Sequence, residues 1–300
     1  MTSVATAATG TAASEAREKR MRGSARRRTI GTVVVYAVLA VTALVYVYPF
    51  LIAVATSFTT QEQAVANPLS LVPAAPTTAA YERLFLRSDF PVWLQNSVIV
   101  TLCVTTGRVF LNSLAGYALA RLPFRGRGPV FAGIVAVMAV PAVVLLIPKF
   151  LVINQLGMYD SYAGLIVPLL ADAAGVFIMK NFFESIPVSV EEAARIDGAG
   201  VFRTYWSVVL PMARPALITL VILSFQGSWN ELSHFIVAAQ DPQLHTLTKG
   251  VAQLASGALS QGSQYPIKLA AATVMTIPVA VLFFLFQRRI MNATTGAEKG

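Results

Sequence analysis

The stretch TIGTVVVYAVLAVTALVYVYPFLIAVAT, residues 29–56, contains no charged side chain and is long enough to cross a membrane. A helix needs about 20 consecutive apolar residues to span the hydrocarbon core. A basic run at residues 17–28 precedes it, which favours a cytoplasmic N-terminus. The alternative is a signal peptide cut near Ala53-Val54-Ala55. Because the apolar part of a signal peptide has only about 7–15 residues, we expect an uncleaved helix.

Five further apolar stretches are long enough to span. They lie at residues 97–120, 129–148, 162–179, 214–238 and 269–286. The loop at residues 121–128 and the C-terminal end are basic, so both are expected on the cytoplasmic side, where Lys and Arg accumulate. The predicted fold class is therefore an all-α polytopic membrane bundle of six transmembrane helices with both termini cytoplasmic.

The composition excludes several other classes of protein. Apolar residues make up 56% of the chain and charged residues 12%, whereas soluble domains carry about 25% charge. Such a chain is too apolar to be disordered, and Cys103 is its single cysteine, which excludes a disulfide scaffold. The net charge of +9 flanks the apolar stretches instead of forming a patch, so we predict a lipid bilayer and no nucleic acid as partner.

One predicted cytoplasmic segment, residues 180–213, is too long for a simple turn. Pro187 ends the helix before it, and Ser189 with Glu192 has the spacing of a capping box that would start a short helix. Gly198 stands where a left-handed C-terminal cap is needed. We therefore predict a short helix that ends at this glycine.

A second short helix is predicted over residues 201–210, ended by Pro211. Phe202, Tyr205, Trp206 and Val209 share one face of it at helical spacing. An apolar face outside the membrane indicates a protein partner. The alternative is a helix that rests on the lipid headgroups or on its own bundle.

The motif that these helices carry resembles the EAA loop of bacterial ABC importer permeases. It reads Glu192-Ala193-Ala194, three residues, Gly198, nine residues, then Val208-Val209-Leu210-Pro211, with valine where the family form has isoleucine. Asp197, Ala199 and Phe202 fit the carbohydrate branch of the binding-protein-dependent type I family. The chain is most similar to the smaller permease of maltose-type importers.

This resemblance implies one subunit of a larger importer. Its partners would be a second homologous permease, two copies of an ABC ATPase that bind ATP and Mg, and a solute-binding lipoprotein outside the bacterial cell membrane. The coupling residues would be Glu192, Ala193, Ala194, Asp197, Gly198, Ala199, Phe202 and Pro211. The implied domains are a disordered basic tail at 1–28, a permease domain at 29–290 with the EAA loop at 187–211, and a cytoplasmic tail at 291–300.

Polar residues inside the spans are candidates for a substrate path. Arg108 and Asp172 lie at about the same depth in two predicted spans, which favours an ion pair between them, since intramembrane charges are usually paired. Asn112 adds a donor for an interhelical hydrogen bond. Lining a sugar path is the alternative for all three residues.

Trp229, Asn230 and Glu231 form a second polar group in the fifth predicted span. An aromatic ring beside amide and carboxylate groups suits a sugar, whose C–H face stacks while its hydroxyls hydrogen-bond. The alternative is an interface with the partner permease. His234 and His245 lack the spacing of a metal site.

The motifs that are missing restrict the function. The sequence contains no G-x-x-x-x-G-K phosphate loop, so this chain is expected to bind no cofactor and not to hydrolyse ATP itself. The resemblance implies that a separate ATPase supplies the energy. It contains no H-E-x-x-H or G-x-S-x-G motif either, and we find no catalytic residues. The predicted function is a permease subunit of an ATP-driven importer. A secondary transporter that works without an ATPase is the alternative.

Overall fold

The computed structural model describes the backbone of residues 5–257 and 264–296, and the side chains of residues 31–257 and 264–287. The first helix begins at Ala5, so residues 5–28 are helical in the described backbone where the sequence predicted a disordered tail. The domain bounds at 29–290 and the cytoplasmic tail at 291–300 stay predictions.

All regular elements of the described ranges are helical, as predicted. In chain order they are α1 Ala5–Ser57, α2 Gln61–Ala66, α3 Ala79–Leu86, α4 Phe90–Arg121, α5 Arg127–Met138, α6 Leu146–Gln155, α7 Tyr162–Leu170, α8 Ala173–Ser185, α9 Val188–Ile196, α10 Val201–Thr204, α11 Leu210–Met212, α12 Arg214–Trp229, α13 Ser233–Ala238, α14 Leu247–Ser256 and α15 Tyr265–Gly296. A π-helical turn, Tyr205–Val209, joins α10 to α11, and a 3-10 turn, Pro242–Leu244, precedes α14.

Several of these helices are long and apolar enough to cross a membrane. Four qualify directly, namely Gly31–Ser57, Phe90–Arg121, Tyr162–Ser185 and Tyr265–Gln287. A fifth candidate is the pair Val201–Met212 and Arg214–Trp229, bent by 80°. The described chain is therefore a multi-pass membrane protein, while the count of six spans stays a prediction.

The third predicted span differs from the expectation. Residues 129–148 do not form one helix, because α5 ends at Met138 and α6 begins only at Leu146. Pro141 has no backbone N–H and disfavours helical geometry at the residue before it, Val140. The third predicted span is therefore divided into two helices on either side of the proline, and whether the two cross the membrane together stays a prediction.

Helix α4 is the centre of the fold, because it contributes buried residues to all three apolar clusters. Tyr117 packs with α8, α12 and the π-helical turn. Trp93 packs with α3, α12, α14 and α15. Val104 packs with α6, α7 and α13. The end of α4 is thereby fixed against the segment after α8.

Two glycines allow helices to approach closely. A Cβ atom on Gly116 of α4 would lie 2.6 Å from the Cβ atom of Met179 and 2.8 Å from the backbone N of Lys180 in α8. A Cβ atom on Gly250 of α14 would lie 2.1 Å from the ring of Trp93. Such small residues are typical of helix contacts in membranes, where backbones touch.

Candidate coupling site and translocation path

The first short helix of the EAA loop, α9, begins earlier than predicted. It starts at Val188 with Pro187 at the N-cap position, so Ser189 already lies inside the helix and no side chain caps it. Proline suits this place because its φ angle, −58° here, matches that of a helix. The predicted capping box of Ser189 and Glu192 is therefore wrong, and Glu192 is exposed.

The end of α9 agrees with the prediction. Gly198 has a φ of +78°. The N–H of Ala199 donates to the carbonyl of Ala194 at 2.9 Å, and the N–H of Gly198 donates to that of Arg195 at 3.0 Å. These two bonds form a Schellman cap, in which a left-handed residue satisfies the last carbonyls of the helix. The chain therefore turns sharply after the exposed Asp197.

A buried carboxylate ties α9 to the end of α4. Glu191 is 2% exposed, and its Oε1 lies 3.0 Å from Nε of Arg121, the last residue of α4. These two atoms form an ion pair without hydrogen-bond alignment. The hydroxyl of Tyr117 donates to Oε2 of Glu191 at 3.4 Å, and Arg195 lies 3.7 Å from the same oxygen.

The same arginine also binds the C-terminal end of α8. Its Nη2 atom donates to the carbonyl oxygens of Phe183, at 2.6 Å, and of Ile186. Carbonyls at a helix end have no partner inside the helix, so a guanidinium fork there satisfies them. Arg121 therefore joins α4, α8 and α9 at one point.

The apolar residues of the second short helix of the EAA loop do not all share one environment, contrary to the prediction. The predicted apolar face is split, because Tyr205 and Val209 are buried whereas Phe202 and Trp206 are 68% and 52% exposed. The two exposed rings stack with centroids 6.3 Å apart and planes 11° apart. The hydroxyls of Tyr205 and Ser113 lie 2.8 Å apart and fix the segment to α4.

Pro211 does not end this segment, contrary to the prediction. It lies within α11, Leu210–Met212, and the chain bends at Ala213 before α12 begins. Pro215 is at the start of α12, a place that tolerates a missing N–H. The bend of 80° turns the chain from the EAA loop into the next candidate span.

The predicted ion pair of Arg108 with Asp172 is absent from the described side chains, since no nitrogen of Arg108 lies within 4.0 Å of Asp172. Nε of Arg108 donates instead to the carbonyl of Leu169 near the end of α7. Asp172 caps α8 by accepting from the N–H of Gly175 at 3.1 Å, and Asn112 donates to it at 3.4 Å. The break between α7 and α8 explains this difference, because it exposes backbone groups that both side chains satisfy.

A second contact stabilises the same broken span. Pro168 has no N–H to donate to the carbonyl of Gly164, one turn earlier in α7. Nε2 of the buried His234 lies 3.0 Å from that carbonyl oxygen. The histidine therefore replaces the missing helical hydrogen bond and is part of the packing.

The other predicted path residues lie at the end of α12. Trp229 is buried, stacks on Phe225 and donates from Nε1 to the carbonyl of Met275 at 3.1 Å. Asn230 is exposed, and Glu231 accepts from the N–H of His234 at 2.9 Å. Trp229 thus packs on α15, while its two polar neighbours remain on the surface of the bundle.

Arg108 is also close to α12. A Cβ atom on Gly227 would lie 3.3 Å from Nη1 of Arg108, and the charges of Asp172 and Glu231 both act on the guanidinium. Arg108, Asp172 and Glu231 are only partly buried. Because an exposed charge within a span is costly in lipid, this side of the bundle is unsuited to face the bilayer.

The new arrangement changes the expected response to mutation. Asp172→Ala should cost about 1 kcal/mol, as the loss of an N-cap does. Arg108→Met should cost about 1–3 kcal/mol by leaving the carbonyl of Leu169 without a partner. The double variant should be no more stable than either single one in thermal unfolding in detergent. Recovery in the double variant would instead identify the two charges as partners.

The sequence prediction missed Glu191 and Arg121. The EAA pattern assigns a role to Glu192 and none to its neighbour Glu191. A signal was present, because Glu191 and Ala194 are three residues apart and share the buried face of α9. From the sequence, Arg121 belongs to the basic loop that orients the chain and to the end of the second predicted span, and nothing there indicates that it binds α9.

Comparison with known proteins agrees with this geometry. The family model of the binding-protein-dependent transport system inner membrane component matches residues 112–295, which include the whole EAA loop. The sulfoquinovosyl glycerol transport system permease protein of Agrobacterium fabrum is 35% identical over 82% of this chain and 86% of its own length. The polygalacturonan/rhamnogalacturonan transport system permease protein of Bacillus subtilis is 33% identical over 89% of this chain and 97% of its own.

Solved structures have the same fold. A chain of a bacterial ABC transporter involved in the import of the acidic polysaccharide alginate superposes with a TM-score of 0.76 and 26% identity, over 86% of this chain and 96% of that one. The fold and the EAA loop define a membrane transport permease. The chain belongs to the family of binding-protein-dependent transport system inner membrane components, which confirms the resemblance to ABC importer permeases. It is therefore a transport subunit rather than an enzyme.

Proposed function

We propose that this chain is one of two permease subunits of an ATP-driven importer for a sugar or sugar-containing compound. The observation that carries the proposal is the EAA loop, built as a capped helix and an exposed aromatic pair that are both tied to the end of α4. The relatives named above are permeases for sulfoquinovosyl glycerol and for polygalacturonan or rhamnogalacturonan. These names support a carbohydrate as the substrate class.

The energy for transport comes, in this proposal, from two copies of a separate ATPase that bind ATP and Mg. Glu192, Asp197 and Phe202 are exposed on the EAA loop and are available to such a partner. Gly198 and Ala199 form the turn, and Ala193 is exposed whereas Ala194 is buried. A short helix that binds in a groove usually does so through a few apolar anchor residues, and Phe202 is such a residue here.

The substrate path lies, in this proposal, on the side of the bundle that carries Arg108, Asp172 and Glu231. Charged side chains on that surface need water, a sugar or another protein beside them. A second homologous permease placed against this side would enclose the path between the two subunits. Asn112 is a positioning residue for Asp172, and the exposed Asn230 is a candidate sugar contact.

The orientation follows from the charges near the EAA loop. Arg121, Arg125 and Arg127 lie at the same end of the bundle as α9, because Arg121 binds Glu191 directly. Basic residues favour the cytoplasmic side of a bacterial cell membrane, where an ATPase would meet the loop. The termini would then be cytoplasmic tails, at 1–28 and 291–300, of a permease domain at 29–290, and a solute-binding lipoprotein would act outside.

Affinity purification and reconstitution test this function. The tagged chain, extracted from its native membrane in mild detergent, should carry a second polytopic subunit and a soluble ATPase in fixed ratio. Vesicles that contain this complex should take up the solute only with ATP on the coupling side and a loaded binding protein on the other side. Uptake by the purified chain alone would contradict the proposal and identify a secondary transporter.

A further inference from the structure

A single buried ion pair joins the ends of three helices where the EAA loop meets the bundle. Arg121 and Glu191 have side chains only 9% and 2% exposed. Exposed ion pairs contribute little to stability, whereas removing one member of a buried pair leaves an uncompensated charge and is strongly destabilising. The pair is therefore a fixed joint of the molecule.

The guanidinium of Arg121 contacts two different helices through two different nitrogen atoms. Nε faces the carboxylate of α9, while Nη2 donates to the carbonyls of Phe183 and Ile186 at the end of α8. Arginine can serve both at once because its donors form a rigid planar fork, which lysine lacks. The inner ends of α4 and α8 are also in backbone contact at Gly116.

The second short helix of the EAA loop contacts the bundle mainly through apolar packing. Tyr205 and Val209 are buried in the cluster that contains Tyr117 and Phe183, and the hydroxyls of Tyr205 and Ser113 add one polar contact. A π-helical turn within that segment and the 80° bend after it separate α9 from α12. Movement of α9 therefore has a direct polar route to α4 and α8, whereas its route to α12 runs through the aromatic segment.

We propose that Arg121 and Glu191 are the positioning pair through which movement of the EAA loop is delivered to α4 and α8, the two helices that carry Arg108, Asn112 and Asp172. This inference rests on the proposed function, in which a partner ATPase moves the loop. The two residues touch neither substrate nor nucleotide. Their role is to make α9 and the inner ends of α4 and α8 one rigid unit.

Three variants in the reconstituted complex test the joint. Glu191→Gln keeps the shape of the side chain but removes the charge that faces Arg121. Uptake and the stimulation of ATP hydrolysis by the loaded binding protein should fall about tenfold or more, while basal hydrolysis stays unchanged. Arg121→Lys keeps a charge for Glu191 but loses the fork on α8, and it should also uncouple transport from hydrolysis. The matched control is Glu184→Gln, which breaks the ion pairs of this half-exposed carboxylate with Arg127 (3.2 Å) and Lys180 (2.8 Å) nearby and should leave transport unchanged.

A distance measurement distinguishes coupling from general stability. Spin labels at the exposed positions Ser189 of α9 and Asn181 of α8, with the exposed Cys103 replaced by serine, should give one narrow distance that is the same with and without nucleotide. In Glu191→Gln the distribution should broaden. Full transport by this variant, or lost transport with an unchanged distance, would overturn the joint.

A double variant covers the case in which Glu191→Gln fails to fold. Arg121→Met with Glu191→Met removes both charges, and such apolar replacements of a buried pair are often neutral for stability. This double variant should fold normally and still be uncoupled, because the carbonyls of α8 lose their donor. Restored coupling would refute the proposal. If transport survives here but is lost on changing Phe202 and Trp206, the proposed function stands and only the joint fails.

Discussion

Replacing Phe202 and Trp206 together with aspartate should stop transport while the chain still enters the membrane at its usual level. The two rings are exposed and stacked on each other, and neither belongs to the buried part of the bundle. At protein interfaces a central aromatic ring contributes about 2 kcal/mol or more, and each 1.4 kcal/mol is about a factor of ten in affinity. Uptake and stimulated ATP hydrolysis in reconstituted vesicles should therefore fall about a hundredfold.

The control for this change, whose loss of about a hundredfold is a lower bound for two such rings, is Phe124→Asp. Phe124 is also an exposed ring, in the basic loop after α4, but it lies outside the EAA motif. It should leave transport intact if the ring pair docks on a protein. Equal loss from Phe124→Asp would mean that exposed rings on this side act by anchoring to lipid headgroups, and full activity of the double variant would remove the aromatic pair from the coupling site.

Gly116→Leu should strongly destabilise the contact between α4 and α8. Its Cβ atom would meet the Cβ atom of Met179 at 2.6 Å and the backbone of Lys180 at 2.8 Å, so α4 and α8 would have to separate. Overpacking costs about 1–3 kcal/mol, occasionally more, and here the obstacle is backbone. The thermal midpoint of the purified chain in detergent should fall clearly.

Gly133→Leu is the matched control, because Gly133 lies in the interior of α5 with open space around its Cβ position. Leucine is also a better helix former than glycine, so this variant should be as stable as the parent or slightly more so. A similar loss of stability from both changes would show that the close contact at Gly116 is unimportant.

The helical class and the turn at Gly198 could be predicted because both depend on short-range patterns. Apolar runs reveal spans, and a glycine after a helical run predicts a left-handed cap wherever the run is placed. The start of α9 was less predictable, since Pro187 and Ser189 both offer a local signal and the proline prevails.

The candidate site residues were harder to predict than the helices, because their positions depend on contacts between distant parts of the chain. The sequence places Arg108 and Asp172 at one depth, but it does not reveal that the fourth predicted span breaks into α7 and α8 just before Ala173. The break leaves the carbonyl of Leu169 and the N–H of Gly175 without helical partners. Arg108 binds the carbonyl and Asp172 accepts from the N–H, so the two side chains do not pair with each other. Likewise, only the fold distinguishes the buried Glu191 from the exposed Glu192.

The central place of α4 also has a consequence for how the protein is made. Three of its polar side chains, Arg108, Asn112 and Arg121, have partners in α7, at the two ends of α8 or in α9, all of which are synthesised later. An arginine at the centre of an isolated span costs about 2.5–3.5 kcal/mol on insertion. We therefore expect α4 to stay beside the translocation machinery during biosynthesis until α7 and α8 can pack against it. The nascent chain is thus exposed to quality control until the second half of the permease emerges from the ribosome.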